Sequence, residues 1–147
     1  MAGRGQSFGR AAEGEVVDRC RPVFVSFASV VVHVGDVGVG QAAKVANNVL
    51  LWSCVRANFE ALRLARALGA DPAAVRTALA LGSGANRPLD EWGLHRLRWP
   101  GKDLELARAL ADETGIDMPF VDALAPLMEE LTPDDLRWLL GPRASAG

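Results

Sequence analysis

Apolar positions along this chain fall into three successive patterns. From Glu15 to about Phe27, Val16, Val17, Cys20, Val23, Phe24 and Phe27 recur at helical spacing, with Pro22 placed to kink or end the helix. Ser29-Val30-Val31-Val32-His33-Val34 is short and β-branched, which predicts a strand over Val30 to Val34. That strand has no partner in the chain, and an unpaired apolar edge invites pairing with another chain. A glycine turn, Gly35-Asp36-Val37-Gly38-Val39-Gly40, follows, and then no Pro or Gly appears until Gly69. Residues Gln41 to Leu68 therefore read as one helix, roughly 42 Å long at 1.5 Å per residue. Ala42 to Val55 is apolar almost all round, which predicts burial by neighbours with Trp52 and Cys54 in the core; Arg56, Glu60, Arg63 and Arg66 make the second half amphipathic.

The remaining pattern is helical throughout. Gly69 closes the long helix, and Asp71-Pro72 supplies N-cap and first turn for a helix to about Leu81. Gly82 to Asn86 is a loop. Lys102 opens a helix with a stripe of Leu104, Ala107, Leu110 and Ala111, closed by Gly115, with Ile116 placed to pack back on it. Pro119 starts the next, Phe120 to Leu131, with a bend expected at Pro126. Thr132-Pro133-Asp134-Asp135 caps a last short helix through Leu140. The expected fold is mainly α, a helical bundle around one long helix, with a short N-terminal helix and a strand remnant. Residues 1–14 read as a disordered N-terminus and 142–147 as a tail.

Composition narrows the function. With 147 residues the chain reads as one main domain, and 50% hydrophobic residues supply a sizeable core. A net charge of −2 leaves no basic stripe for phosphates, so no nucleic-acid partner is expected. Cys20 and Cys54 are isolated and indicate a reduced, cytoplasmic setting without a metal site. No apolar run is long enough to span a membrane.

Two signals carry chemistry. The glycines of the turn follow G-x-x-G-x-G, not the G-x-G-x-x-G of a dinucleotide fingerprint, and Glu60, at the distance of a ribose-binding acid, lies inside the same helix. They read as turn residues that supply positive φ and let a ligand or backbone come close. The 16 basic residues include only two lysines, Lys44 and Lys102. Lysine can release its proton where arginine cannot. Ala42, Ala43, Val45, Ala46 and Val49 surround Lys44 in sequence, so partial desolvation is expected, and a lysine so tuned serves as a general acid or base. Asn48 lies one turn later on the same face. The alternative is a snorkelling helix lysine beside a polar stripe, which spacing alone favours. Lys102 near a helix N-terminus opposes the dipole; a cofactor phosphate or amide would account for it, and so would a salt bridge to Asp103 or Glu105. Ser83 and Asn86 are candidate polar contacts with an ordinary turn role as the stronger reading, and Trp92, His95 and Trp99 among Arg87, Arg96 and Arg98 form either an aromatic, basic patch or surface packing. His33 reads as structural, and His95 is not taken as a functional residue.

The run Val37-Gly38-Val39-Gly40-Gln41-Ala42-Ala43-Lys44-Val45-Ala46-Asn47-Asn48, with Gly101-Lys102-Asp103-Leu104-Glu105-Leu106-Ala107, closely resembles the C-terminal domain of the β-hydroxyacid dehydrogenases, the 3-hydroxyisobutyrate dehydrogenase group. Glu15 to Val34 is similar to the tail of that family's nucleotide domain. The resemblance implies a 6-phosphogluconate dehydrogenase C-terminal-like helical fold, with residues 15–36 a remnant of the nucleotide-binding domain and 37–141 the helical dehydrogenase domain. It implies Lys44 as catalytic acid/base, Asn48 and Gly38 as substrate-binding residues, and Lys102 as the contact to NAD or NADP. It implies a small hydroxy-acid substrate, a homo-oligomer, a dimer in the simplest case, and no membrane partner. Most of the nucleotide domain is missing from the sequence, so weak or no turnover is expected of this chain. A helical oligomerisation module without redox chemistry is the competing expectation.

Overall fold

The structure is a computed structural model that describes residues 14–26, 28–36 and 38–140. The expectations of a disordered start and a tail fall outside those residues, as do Phe27 and Val37. The chain divides into two compact units, Met1–Asn47 and Asn48–Gly147, with the division inside its longest helix. Among the described residues all regular structure is helical, in seven helices.

In the first unit, α1 spans Gly14–Phe24. Pro22 sits inside it without ending it, within its last turn. Asp18 accepts from Arg21 one turn later at 3.0 Å, and Val17 and Ala28 are buried. The strand expected at Val30 to Val34 does not form: these residues are irregular, and Val30 and Val32 are exposed. β-branched side chains favour an extended backbone, but a strand also needs a neighbour for its N–H and C=O groups. Arg21 of α1 donates to the Val31 carbonyl at 3.4 Å. Gly35 and Gly38 take φ of 136° and 102°, the freedom the turn requires of glycine. Gln41 N–H then donates to the Gly38 carbonyl at 3.0 Å as the long helix starts.

That helix, α2, spans Val39–Ala67. The all-round burial expected for its first half is not found: Ala42 and Ala46 are exposed and Leu50 is 66% exposed. Trp52, Val55, Phe59 and Leu62, spaced three to four residues apart, are its buried stripe, while Cys54 is only half-buried. Gly69, at φ 88°, ends the helix, with Ala70 N–H reaching back to the Ala65 carbonyl at 3.0 Å.

Shorter helices make up the rest of the second unit. Helix α3 (Pro72–Leu79) is capped by Asp71, which accepts the Ala74 N–H at 2.9 Å. The four-residue helix α4 (Arg87–Asp90) buries Pro88 and Leu89. Helix α5 (Pro100–Thr114) buries Leu104, Ala107 and Ala111 and packs against α6 (Pro119–Glu129), which buries Val121, Leu124, Ala125 and Met128. Arg108 ties the pair by donating to the Asp122 carboxylate at 2.7 Å and its carbonyl at 3.1 Å. Gly115 closes α5 at φ 69°, with Ile116 N–H on the Ala111 carbonyl, but the Ile116 side chain stays exposed rather than packing back. Arginines of α2 hold the C-terminal segments: Arg56 donates to the Leu127 carbonyl at 2.8 Å, and Arg66 to the Trp138 carbonyl at 2.6 Å while stacking on its ring at 4.1 Å.

The last helix, α7 (Pro133–Trp138), starts with a full capping box. The Thr132 hydroxyl donates to Asp135 Oδ2 at 2.6 Å and accepts the Asp135 N–H at 3.3 Å, while Thr132 N–H donates to the same carboxylate at 2.9 Å. The hydroxyl bond first, and the backbone bond second, hold the Asp135 carboxyl below its ordinary value of 3.8. A carboxyl depressed on folding stabilises above its unfolded value and loses that contribution as pH falls through its folded one. Thr132→Ala is therefore expected to cost about 1 kcal/mol at pH 7. The difference from the parent should shrink below about pH 4, which urea unfolding at pH 7 and pH 3 measures.

Candidate functional site

Four residues were singled out by sequence, and the structure places them on two helices and one turn. Gly38 is exposed, at φ 102°, and open space surrounds the position of an added Cβ. It needs to be glycine for its backbone, not for lack of room. Lys44 lies in the opening turns of α2 and is exposed. The partial desolvation expected of it is not supplied by its sequence neighbours. Residues one and two positions away on a helix project in other directions and do not cover it. Asn48, four residues on in the same helix, is half-buried and engaged rather than free. Lys102 stands in the first turn of α5, exposed.

Within the second unit, one bond joins the two motif-bearing helices. Trp52, four residues beyond Asn48, donates its indole N–H to Asp103 Oδ2 at 3.0 Å. The first turn of α5, Lys102 included, is thus fastened to α2. Of the two sources of compensation considered for Lys102, a salt bridge to Asp103 or Glu105 is not formed among the described residues; Asp103 accepts from Trp52. The loop ahead of α5 is anchored at its other end. Trp92 Nε1 donates to the Leu136 carbonyl at 3.2 Å, and His95 Nε2 lies 3.0 Å from the Pro88 carbonyl. His95 is a structural histidine, and Trp92 is core, so the aromatic, basic patch is reduced to Trp99, Arg96 and Arg98, all exposed. Between them Leu97 is a non-glycine residue at positive φ, 46°. Such a conformation stores strain of order 1 kcal/mol.

Asn86 has a structural task. Its Oδ1 accepts from the Leu89 N–H, capping α4, and from the amide of buried Asn58 at 2.9 Å, while its own amide donates back to Asn58 at 3.1 Å. Sequence reasoning missed Asn58, since a lone amide in an amphipathic helix carries no signal of a partner 28 residues on. Asn86→Ala removes a cap and leaves the Asn58 amide unpaired in the interior, for an expected loss of about 2–3 kcal/mol by denaturant unfolding. Ser83 is exposed in its loop. Among the described residues, no group of three His, Cys, Asp or Glu side chains is arranged to hold a metal ion, and no helix is long and apolar enough to cross a membrane.

Helix α2 carries one lysine in its opening turns, and the second lysine stands in the first turn of α5. The fold is shared with a solved structure of Mycobacterium tuberculosis 3-hydroxyisobutyrate dehydrogenase with L-serine, at a TM-score of 0.71 and 24% identity, covering 89% of this chain and 54% of that one. Residues 38–137 match the family model described as NAD-binding of NADP-dependent 3-hydroxyisobutyrate dehydrogenase, and the chain belongs to that family. It is 38% identical over 94 residues to the 3-hydroxyisobutyrate dehydrogenase of Pseudomonas aeruginosa, covering 63% of this chain and 29% of that protein. It is 35% identical over 114 residues to the 2-hydroxy-3-oxopropionate reductase of Escherichia coli, covering 71% and 39%. The chain spans well under half the length of either curated relative. The cofactor class expected from sequence, NAD or NADP, is the one the family's description names.

Proposed function

We propose that this chain is the substrate-side helical domain of an NAD(P)-dependent dehydrogenase acting on a small 3-hydroxy acid. The observation that carries it is the family match over residues 38–137, which takes in both of the chain's lysines. In this reading hydride passes between the nicotinamide and the carbinol carbon of the substrate. Lys44 takes the hydroxyl proton during oxidation and returns it during reduction. Asn48 and the Gly38 backbone orient the substrate, and Lys102 meets the cofactor. Lys44 is exposed in this chain, so its amine is open to a substrate hydroxyl. A reduced cytoplasmic setting is supported by the unpaired Cys20 and Cys54.

The test is titration of the chain with NADH and NADPH by calorimetry, alongside initial rates of NAD(P) reduction with 3-hydroxyisobutyrate. Binding with weak turnover is expected. No binding of either cofactor at millimolar concentration would remove the redox reading. A second reading, a helical oligomerisation module without redox chemistry, is favoured by the exposure of Leu50, Leu64 and Leu68 along α2. A dimer mass by light scattering together with no NAD(P)H binding would select it; a dimer that binds NAD(P)H would join the two.

A further inference from the structure

Three charges on α5 stand at the end its dipole disfavours. A helix dipole favours acids at the N-terminus and bases at the C-terminus. Lys102 is in the first turn, while Asp112 and Glu113 are in the last, which holds no base. All three are exposed, and none has an ion pair among the described residues. Glu105, one turn from both Lys102 and Arg108, bonds neither, and Arg108 is committed to Asp122. Two of these charges bound a patterned face. Leu104, Ala107 and Ala111 form the buried side of α5. On the opposite side Lys102, Leu106, Ala109 and Glu113 are exposed, Leu106 by 38%. Their steps of four, three and four residues are the rhythm of a seam between two helices. The stripe is its own complement when reversed: cation, large apolar, small apolar, anion.

We infer that two copies of this chain pair through the outer face of α5, antiparallel about a twofold axis between Leu106 and Ala109. Each Lys102 faces the partner's Glu113, and each Leu106 packs on the partner's Ala109. Charges that oppose the dipole of their own helix are thereby neutralised by the other copy. Beyond the helix ends, exposed Arg96 and Arg98 precede α5 and exposed Asp117 follows it. The antiparallel arrangement sets this basic end of each copy against the acidic end of the other. The interface is isologous and closes on itself. A parallel pair would instead oppose lysine to lysine and glutamate to glutamate. The contact is about 22 Å long and about 10 Å wide. That is short of the ~1,200 Å² of a stable interface, so the dimer is a weak one. The pairing needs no redox chemistry, and it uses α5 rather than the exposed leucines of α2.

Charge exchange tests the pairing. Sedimentation velocity of the nucleotide-free chain at low salt, up to millimolar protein, should show a monomer–dimer equilibrium. High salt should shift it to monomer, because exposed charges are then screened. Lys102→Glu opposes two glutamates at both ends of the seam and should weaken the dimer about tenfold. Glu113→Lys should do the same. Each change suits the dipole of its own helix, so helix content by circular dichroism should hold or rise while association falls. The double variant Lys102→Glu/Glu113→Lys restores the complement with signs exchanged. It should associate within about threefold of the parent, a coupling that independent sites would not show. A parent that stays monomeric throughout, or a double variant that associates no better than its singles, overturns the inference. A dimer indifferent to both single reversals is seated on another face, the leucines of α2 included, and overturns it too. Nucleotide binding and turnover judge the dehydrogenase reading and do not enter this measurement.

Discussion

Leu62→Ala should lower the unfolding free energy by about 2–5 kcal/mol. Leu62 is fully buried, on the same stripe of α2 as Val55 and Phe59. Around it the second unit has few ways to collapse. Phe59 is held by Arg56 and Arg63, whose guanidinium groups lie 5.5 and 5.2 Å from its ring centre, and Arg56 is committed to the Leu127 carbonyl. A pinned wall keeps a cavity open, which puts the cost toward the upper end of the range. A small domain has about 5–15 kcal/mol in all, so this one substitution removes a large share. Leu64, two residues on and 63% exposed, is the control. Leu64→Ala should stay within about 0.5 kcal/mol. Urea unfolding of the two variants separates them, and equal losses would contradict the assignment of the inner face. A Leu64→Ala loss that grows with protein concentration would instead point to burial of that face between copies.

The same stripe shows what could be read in advance. Helix ends were legible because their chemistry is local. Asp71-Pro72, Thr132-Pro133-Asp134-Asp135, Gly69 and Gly115 each satisfy orphan backbone groups within a few residues, and each cap forms as expected. The extent of α2 was legible for the same reason, as a stretch without Pro or Gly. The strand was not, because the preference of Val30 to Val34 for extended backbone says nothing of whether a second strand is there to bond it. The exposure of Lys44 was not, because apolar residues adjacent in sequence were credited with covering a side chain that points away from them. Leu50 shows the same limit from the other side: an apolar helix face predicts a neighbour without supplying one. The pairings Trp52–Asp103, Asn58–Asn86 and Arg66–Trp138 span 51, 28 and 72 residues, and no sequence pattern encodes such distances. The fastening of α5 to α2 through Trp52 and Asp103 was not legible.

Lys44→Ala should reduce turnover by about a hundred- to ten-thousandfold, the range a general acid–base group supplies. Affinity for NADH should change little, because in the proposed reaction Lys44 meets the substrate hydroxyl and Lys102 meets the cofactor. Lys44→Arg sharpens the test. Arginine keeps the positive charge and much of the reach but does not give up its proton in the working range. If Lys44 acts only as an electrostatic anchor for a carboxylate, the arginine variant should retain most of the rate with a modest rise in KM. If it moves the proton, kcat should fall nearly as far as in the alanine variant while KM rises little. A Lys44→Ala protein that turns over within about threefold of its parent would lie far below the range for a proton-transfer group, and the acid–base role would have to be assigned elsewhere.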